Sequence, residues 1–324
     1  MLLVVLGHTM TGCTVDSQKS FLFNIVWSLQ MPLFILISGY VTKYSSPISN
    51  GKGLWKYVKR RTIAYMLPWA VWSFFVRGVI FGQDGFLNIK SLLWNMDSGY
   101  WFLATIWTIS MIFGVASYLE ERIGKSNAVK KQITLLGFYL LGMILLVGIG
   151  MVIGLSFFAI KLTLYYMPFY YVGYLYGQID GKLLSTDKGK NVVDCGVAIC
   201  FAIWLFVILR FSLYEMSDSG LEIIFRAATS LSGCIAVCGL CSGIFSDKIG
   251  GGMAWIGEHS LEVYLMHYLL LSLIKLENNP PFYSPIGLTL VMVNYLLTVL
   301  LVVLIIMAIN KNKALRFVLT GKKD

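Results

Sequence analysis

The sequence predicts an all-α bundle of about ten transmembrane helices with both termini cytoplasmic. Three observations carry that prediction: composition, the length of the apolar runs, and the placement of basic residues. Hydrophobic residues make up 57% of the 324 and charged residues only 13%, about half the charge of a soluble domain, and the mean hydropathy is +0.75. A hydrocarbon core takes roughly 20 apolar residues to cross, and runs of that kind lie at about 21–41, 62–82, 100–119, 132–150, 155–177, 192–211, 223–245, 254–275 and 287–309. Loops 42–61, 120–131, 178–191 and 246–253 and the C-terminal tail hold most of the 26 Lys and Arg. Such an excess marks the cytoplasmic side. The net charge of +10 then faces anionic headgroups, and nucleic acid is not needed to explain it.

The remaining stretch, Met1 to about Val15, is apolar but short for a span, so the first helix is expected to be truncated at its N-terminal end. It has neither a basic leader nor a small-residue cleavage site, so it does not read as a signal peptide. No tandem repeat, low-complexity tract or linker interrupts the chain, and residues 1–324 read as one integral membrane domain. Short loops leave no room for an extramembrane catalytic domain. Any chemistry is expected among the helices.

Depth along these spans places His8 and His267, together with Arg77, Lys161 and Arg226, in the outer half of the bundle. Ionisable side chains inside a membrane are costly and mark functional sites when they face the interior. Two readings stand for Arg77, Lys161 and Arg226: they line a site, or they snorkel to the interface. Ser260, Tyr264 and His267 fall at i, i+4 and i+7 on one helical face, which either lines a site or makes an interhelical hydrogen bond. Glu258 and Glu262 are placed near the cytoplasmic edge, toward the headgroups. Cys234, Cys238 and Cys241 also share a face, but no matching Cys/His pair at zinc spacing accompanies them, and no metal is expected. Cys13, Cys195 and Cys200 are too scattered for a disulfide framework.

Local patterns add a resemblance. His8 follows "LLVVLG", and then come "LQMPLFILISGY" from Gln30, "YVKRRTIAYMLPW" from Tyr57, "GYWFL" from Gly99, "YYMPFYYVGYLYG" from Tyr165 and "IGEHSLEVYLMH" from Ile256. In this order and spacing they resemble the acyltransferase 3 family of integral membrane O-acyltransferases, in its sugar O-acetylase-like branch, over nearly the whole chain. The resemblance implies transfer of an acetyl or other acyl group from cytosolic acetyl-CoA to a hydroxyl of a cell-surface carbohydrate or lipid-linked sugar. The sequence has no N-x-S/T sequon, and a bacterial plasma membrane location is expected, with no nucleic-acid partner. The family's first-span arginine, about ten residues before the histidine, would lie ahead of Met1.

Esterifying a hydroxyl needs a base, and histidine, with a pKa near 6.5, is suited to the task. His8 matches the family histidine and is the expected base; a covalent acetyl-histidine is an open variant of that role. Arg60 and Arg61 match the family's arginine-rich entry to the third span and are expected to make fork-like contacts with the donor's phosphates. His267 would orient substrate or support His8. Trp101 matches a family tryptophan near the site, although an aromatic belt is the default explanation for it. The alternative from a different class is a transporter of a polar or anionic solute, with Arg77, Lys161 and Arg226 along its path.

Overall fold

The computed structural model describes residues 1–96, 99–123, 127–183, 185–244 and 247–322. The expected loops 120–131, 178–191 and 246–253 and the end of the tail therefore lie partly outside the described residues. Within them the chain is helical and forms no β-strand. In chain order the helices are α1 (Leu2–Cys13), α2 (Phe21–Tyr40), α3 (Gly51–Ala70), α4 (Ile89–Trp94), α5 (Trp101–Ile123), α6 (Ala128–Ile153) and α7 (Ile160–Leu183). They continue as α8 (Asp187–Arg210), α9 (Gly220–Ile244), α10 (Asp247–Glu258), α11 (Ser260–Met266), α12 (Pro285–Ile309) and α13 (Lys313–Thr320). Seven segments, those of α2, α3, α5, α6, α8, α9 and α12, are long and apolar enough to cross a bilayer, and α1 is a shorter apolar helix.

Several helix starts are written in single residues. The Ser20 hydroxyl accepts from the Phe23 N–H at 3.1 Å, Asn50 from Gly53 at 2.8 Å, Asn127 from Lys130 at 3.1 Å and Thr186 from Gly189 at 3.1 Å. Each oxygen satisfies an N–H that has no partner inside its own helix. The Asn50 cap starts α3 well before the expected boundary at 62. Lys52, Lys56, Lys59 and Arg60 consequently ride on helical turns and not on a loop. Pro68 cannot donate to the carbonyl one turn behind it, and from Val71 to Ile80 the helix continues in π-helical form.

The expected span at 254–275 is not one helix. It breaks at His259 (φ −102°, ψ 16°), resumes as α11, tightens to a 3-10 turn over His267–Leu269, and is then irregular to the start of α12. Side chains of α12 hold this unwound stretch, as described below.

Two compact units divide the chain. The first comprises Met1–Lys43 and Tyr171–Ile309. In it α1 packs on α2 and α12, α2 packs on α9, and α8 packs on α9. A Cβ at Gly173 of α7 would collide with the carbonyl of Leu36, so only glycine permits this approach to α2. Asn24 seals the end of α8: its amide donates to the carbonyls of Ile208 and Phe211 at 2.9 and 2.6 Å and accepts from the Leu213 N–H at 3.0 Å. At one end of α2, Lys43 and the Tyr40 hydroxyl both reach Asp180 of α7.

The second unit comprises Tyr44–Tyr170 and Asn310–Asp324. Here α5 packs on α3 and α6, and α13 returns along α3. The Trp72 indole donates to the Leu319 carbonyl at 2.8 Å, and Gly321, at φ +68°, sits against the backbone of Ile63 and Ala64. The buried Tyr139 hydroxyl donates to the Met167 carbonyl at 3.0 Å.

Replacing Gly173 by Val should lower stability by about 1–3 kcal/mol through overpacking. Thermal unfolding of the chain in lipid nanodiscs measures it, and an unchanged midpoint would show that α2 and α7 do not need this contact.

Candidate active site

Gly7 sets the position of α1. A Cβ there would lie 2.9 Å from Val26 and 3.1 Å from Oε1 of Gln30, so any larger residue at that point would force those side chains to shift. The next residue, His8, is exposed, while Gly7, Thr9 and Met10 around it are buried. Across from it stands His267, 2% exposed, with ring centres 5.4 Å apart. Tyr268 meets the His8 ring edge-on at 5.8 Å, and Tyr264 lies 5.9 Å from His267. Residues separated by about 260 positions thus form one aromatic, polar cluster in the first unit.

The hydrogen bonds of His267 decide its tautomer. Nδ1 lies 2.8 Å from the Tyr264 carbonyl and 3.1 Å from the Val263 carbonyl. Carbonyl oxygens only accept, so Nδ1 carries the proton and, in the neutral ring, Nε2 holds a lone pair. Nε2 is buried and has no hydrogen-bond partner among the described residues. Oε1 of Gln30, next to Gly7, is likewise buried without one. Two acceptors without donors in one unit can take hydroxyl or imidazole protons.

What holds His267 in place is the unwound chain that follows it. The Asn294 side chain of α12, fully buried, accepts from the Ile274 N–H at 2.9 Å and donates to the Ile274 carbonyl at 3.0 Å, and the Thr298 hydroxyl donates to the Leu270 carbonyl at 2.9 Å. Ser272, at φ +55°, brings its hydroxyl to 3.4 Å from the Cys13 sulfur of α1. The stretch is thereby tied to both α12 and α1. Sequence reasoning missed Asn294 and Thr298, although an amide and a hydroxyl at i, i+4 in a 25-residue helix whose other polar side chains are only Thr289 and Tyr295 were a usable signal.

Arg226, also in this unit, is ion-paired with Asp218 at 3.0 Å. Ser260 opens α11, on the face that carries Tyr264 and His267. Glu262 differs from its expected headgroup position: it is 1% exposed, because the break at His259 turns the following helix into the packed interior. Cys234, Cys238 and Cys241 carry free thiols.

Within the second unit Arg60 is exposed while Arg61 turns inward. The Arg61 guanidinium donates to the Tyr65 hydroxyl at 3.0 Å and lies 5.4 and 5.9 Å from the ring centres of Tyr57 and Tyr65. Its Nε, and the hydroxyl of Tyr170 that feels its charge, are buried and have no hydrogen-bond partner among the described residues. No carboxylate pairs with Arg61 among those residues. An arginine with a spare donor and no counter-ion can receive an anion. Arg77, 8% exposed in the π-helical segment, donates from Nε to the Gln83 side chain at 2.9 Å and stacks 3.9 Å from the Phe86 ring centre. Lys161 is exposed at the start of α7. Trp101 stacks on Tyr166 at 5.7 Å with only 14° between the rings.

Leucine at 294 would leave both the N–H and the carbonyl of Ile274 unsatisfied, at about 1–3 kcal/mol for each group. Asn294→Leu should therefore destabilise the protein more than Thr298→Val, which strips one bond from Leu270. Chemical or thermal unfolding ranks the two variants, and equal losses would contradict the assigned bonds.

A family model described as an acyltransferase domain matches residues 1–310. No curated protein and no solved structure matches the chain. The match takes in both units up to the end of α12, including the turn with His8, the arginine-bearing α3 and the segment ending at His267. The chain belongs to the acyltransferase 3 family and is a multi-pass membrane acyltransferase.

Proposed function

We propose that the chain moves an acetyl group from cytosolic acetyl-CoA to a hydroxyl of a cell-surface carbohydrate or lipid-linked sugar, as in the sugar O-acetylase-like branch of its family. The observation that carries this reading is the pairing of an exposed imidazole with a buried one whose free nitrogen is an acceptor. His8 takes the proton of the acceptor hydroxyl as its oxygen attacks the thioester carbonyl. The carbon–sulfur bond then breaks, and the proton passes from His8 to the departing thiolate. The products are the acetyl ester and free coenzyme A, with no net change in the enzyme. His267, held by two backbone carbonyls, keeps a fixed lone pair toward its surroundings and orients or relays the proton of its partner.

Arg61 is proposed as the donor-binding residue, through its unpaired Nε and its tyrosine surroundings, with Arg60 adding charge at the helix surface. Ser260 and Tyr264 supply hydroxyls on the His267 face, with Arg226 in the same unit, and Trp101, Arg77 and Lys161 are proposed as supporting residues within the second unit. A bacterial plasma membrane is the proposed location. Transport of an anionic solute is disfavoured by the local partners already engaged by two of its intended path residues: Arg226 by Asp218 and Arg77 by Gln83.

General-base catalysis contributes about 10²–10⁴-fold, so His8→Ala should reduce transfer by that order. The assay is ester-linked acetate on purified surface polysaccharide, by mass spectrometry, in cells lacking their own copy. His267→Ala is expected to fall between wild type and His8→Ala. Acetate that is the same for all variants, with solute uptake that tracks them instead, would replace this reading with transport.

Arg61→Lys keeps the charge but loses the planar fork. It should raise the KM for acetyl-CoA several-fold with a smaller effect on kcat, in steady-state coenzyme A release. A loss confined to kcat would place Arg61 away from donor binding.

A further inference from the structure

Side chains from three helices of the second unit pack together and leave buried polar atoms without a hydrogen-bond partner among the described residues. The atoms are Nε of Arg61 on α3, Oγ of Ser110 on α5 and the phenol oxygen of Tyr170 on α7. Tyr57, Arg61 and Tyr65 stand at i, i+4 and i+8 on one face of α3. The Tyr57 hydroxyl donates to the Ser110 carbonyl at 3.1 Å. A Cβ at Gly114 would press on the Tyr57 ring, so glycine lets that ring lie against α5. Phe113, three residues after Ser110 on α5, has its ring centre 5.3 Å from that of Tyr170. The Arg61 charge acts on the Tyr170 phenol, as do the Tyr57 and Tyr65 hydroxyls. Ser110 and Tyr170 are each 1% exposed.

Buried polar groups in native proteins are paired, and each one that is not points to a bound water or ligand. Nε–H of arginine only donates, and both hydroxyls can donate as well. Three donors beside one positive charge select an oxyanion over a metal ion, an acyl chain or a neutral molecule. Charge balance then narrows the class. A buried guanidinium offsets one negative charge, and any excess stays buried at high cost. A phosphate monoester carries about −1.5 to −2 near neutral pH, whereas each phosphate of a diphosphate diester carries one charge. A carboxylate has the same single charge and is the competitor to be tested.

We infer that Arg61, Ser110 and Tyr170 form a buried site for one singly charged phosphoryl group, with Ser110 and Tyr170 as binding residues beside the arginine. Assigning that group to the diphosphate bridge of the coenzyme A donor, and not to its 3′-phosphate, rests on the acyl-transfer reading; the anion binding itself does not.

The experiment uses the full chain in maltoside micelles, which contain no phosphate. Titration calorimetry is run with coenzyme A, 3′-dephospho-coenzyme A, pantetheine and acetate. We expect coenzyme A and its dephospho form to bind nearly equally, pantetheine to bind far more weakly, and acetate not to bind. Tyr170→Phe and Ser110→Ala should each weaken both nucleotide ligands about tenfold, the loss of one hydrogen bond to a charged group, and leave pantetheine unchanged. Neither substitution should lower the unfolding temperature of the ligand-free chain, since each removes a hydroxyl oxygen without a side-chain or backbone partner; a structural role would lower it.

Binding indifferent to both substitutions would overturn the site, with water alone at these atoms. Dephospho-coenzyme A as weak as pantetheine would overturn the charge argument in favour of the 3′-phosphate, and acetate binding that needs Tyr170 would make this a carboxylate site instead. Phosphorus that copurifies with wild type and not with Tyr170→Phe would assign the site to a lipid headgroup and overturn its assignment to the donor. Ester-linked acetate in cells separates the two readings. Acetate transfer unaffected by either substitution overturns the site and spares acyl transfer; diphosphate-selective binding without any transfer keeps the site and removes the transferase reading.

Discussion

A peptide group that leaves helical geometry within a hydrocarbon layer has no water to turn to, so its N–H and C=O must be met by protein. The chain after His267 does leave helical geometry, and it depends on two side chains of α12 for those bonds. Asn294 stands nine residues into α12, which is about 14 Å at 1.5 Å per residue and close to the middle of a ~30 Å core. An apolar side chain at that depth could satisfy neither bond. The two-histidine cluster therefore rests on a pair of polar residues that touch neither ring.

The same economy of close contacts positions α1. Gly7 admits the Val26 and Gln30 side chains to distances at which a Cβ would force them to shift, and Ser272 reaches the far end of the helix at Cys13. His8 is thus presented by a helix fixed at two points, and remains exposed among buried neighbours. Rigid support of this kind matters for acid–base chemistry, because proton transfer requires hydrogen-bond reach. The Val263 and Tyr264 carbonyls fix the tautomer of His267, which leaves the lone pair on Nε2 while the ring is neutral.

Cations in the chain divide into those already neutralised locally and those that are not. Arg226 has Asp218 and Lys43 has Asp180, whereas Arg77 meets the neutral Gln83 amide and an aromatic face. Arg61 has only tyrosines, which add hydrogen-bond acceptors and ring faces but no negative charge. A buried cation without a counter-ion is expensive, and an incoming anion relieves that cost. This contrast separates Arg61 from the carboxylate-paired Arg226 and Lys43.

Much of the architecture was legible in one dimension, because lipid imposes long apolar runs and basic flanks whatever the tertiary packing. That argument yields the helical membrane class and the long apolar segments at most of the expected spans. It also yields the family, since motif order survives in the sequence. Periodicity was blind where polar residues do the holding. The break at His259, the unwound stretch after His267 and the burial of Glu262 depend on partners contributed by distant segments, such as Asn294 and Thr298. Likewise Arg60 and Arg61 are adjacent and chemically identical, and only the azimuth of α3 against its neighbours turns one outward and the other onto Tyr57 and Tyr65. Sequence alone determines which segments are long and apolar enough to cross a membrane; tertiary structure decides which charged groups are buried and which of them meet, because facing direction is set by packing between segments far apart in the chain.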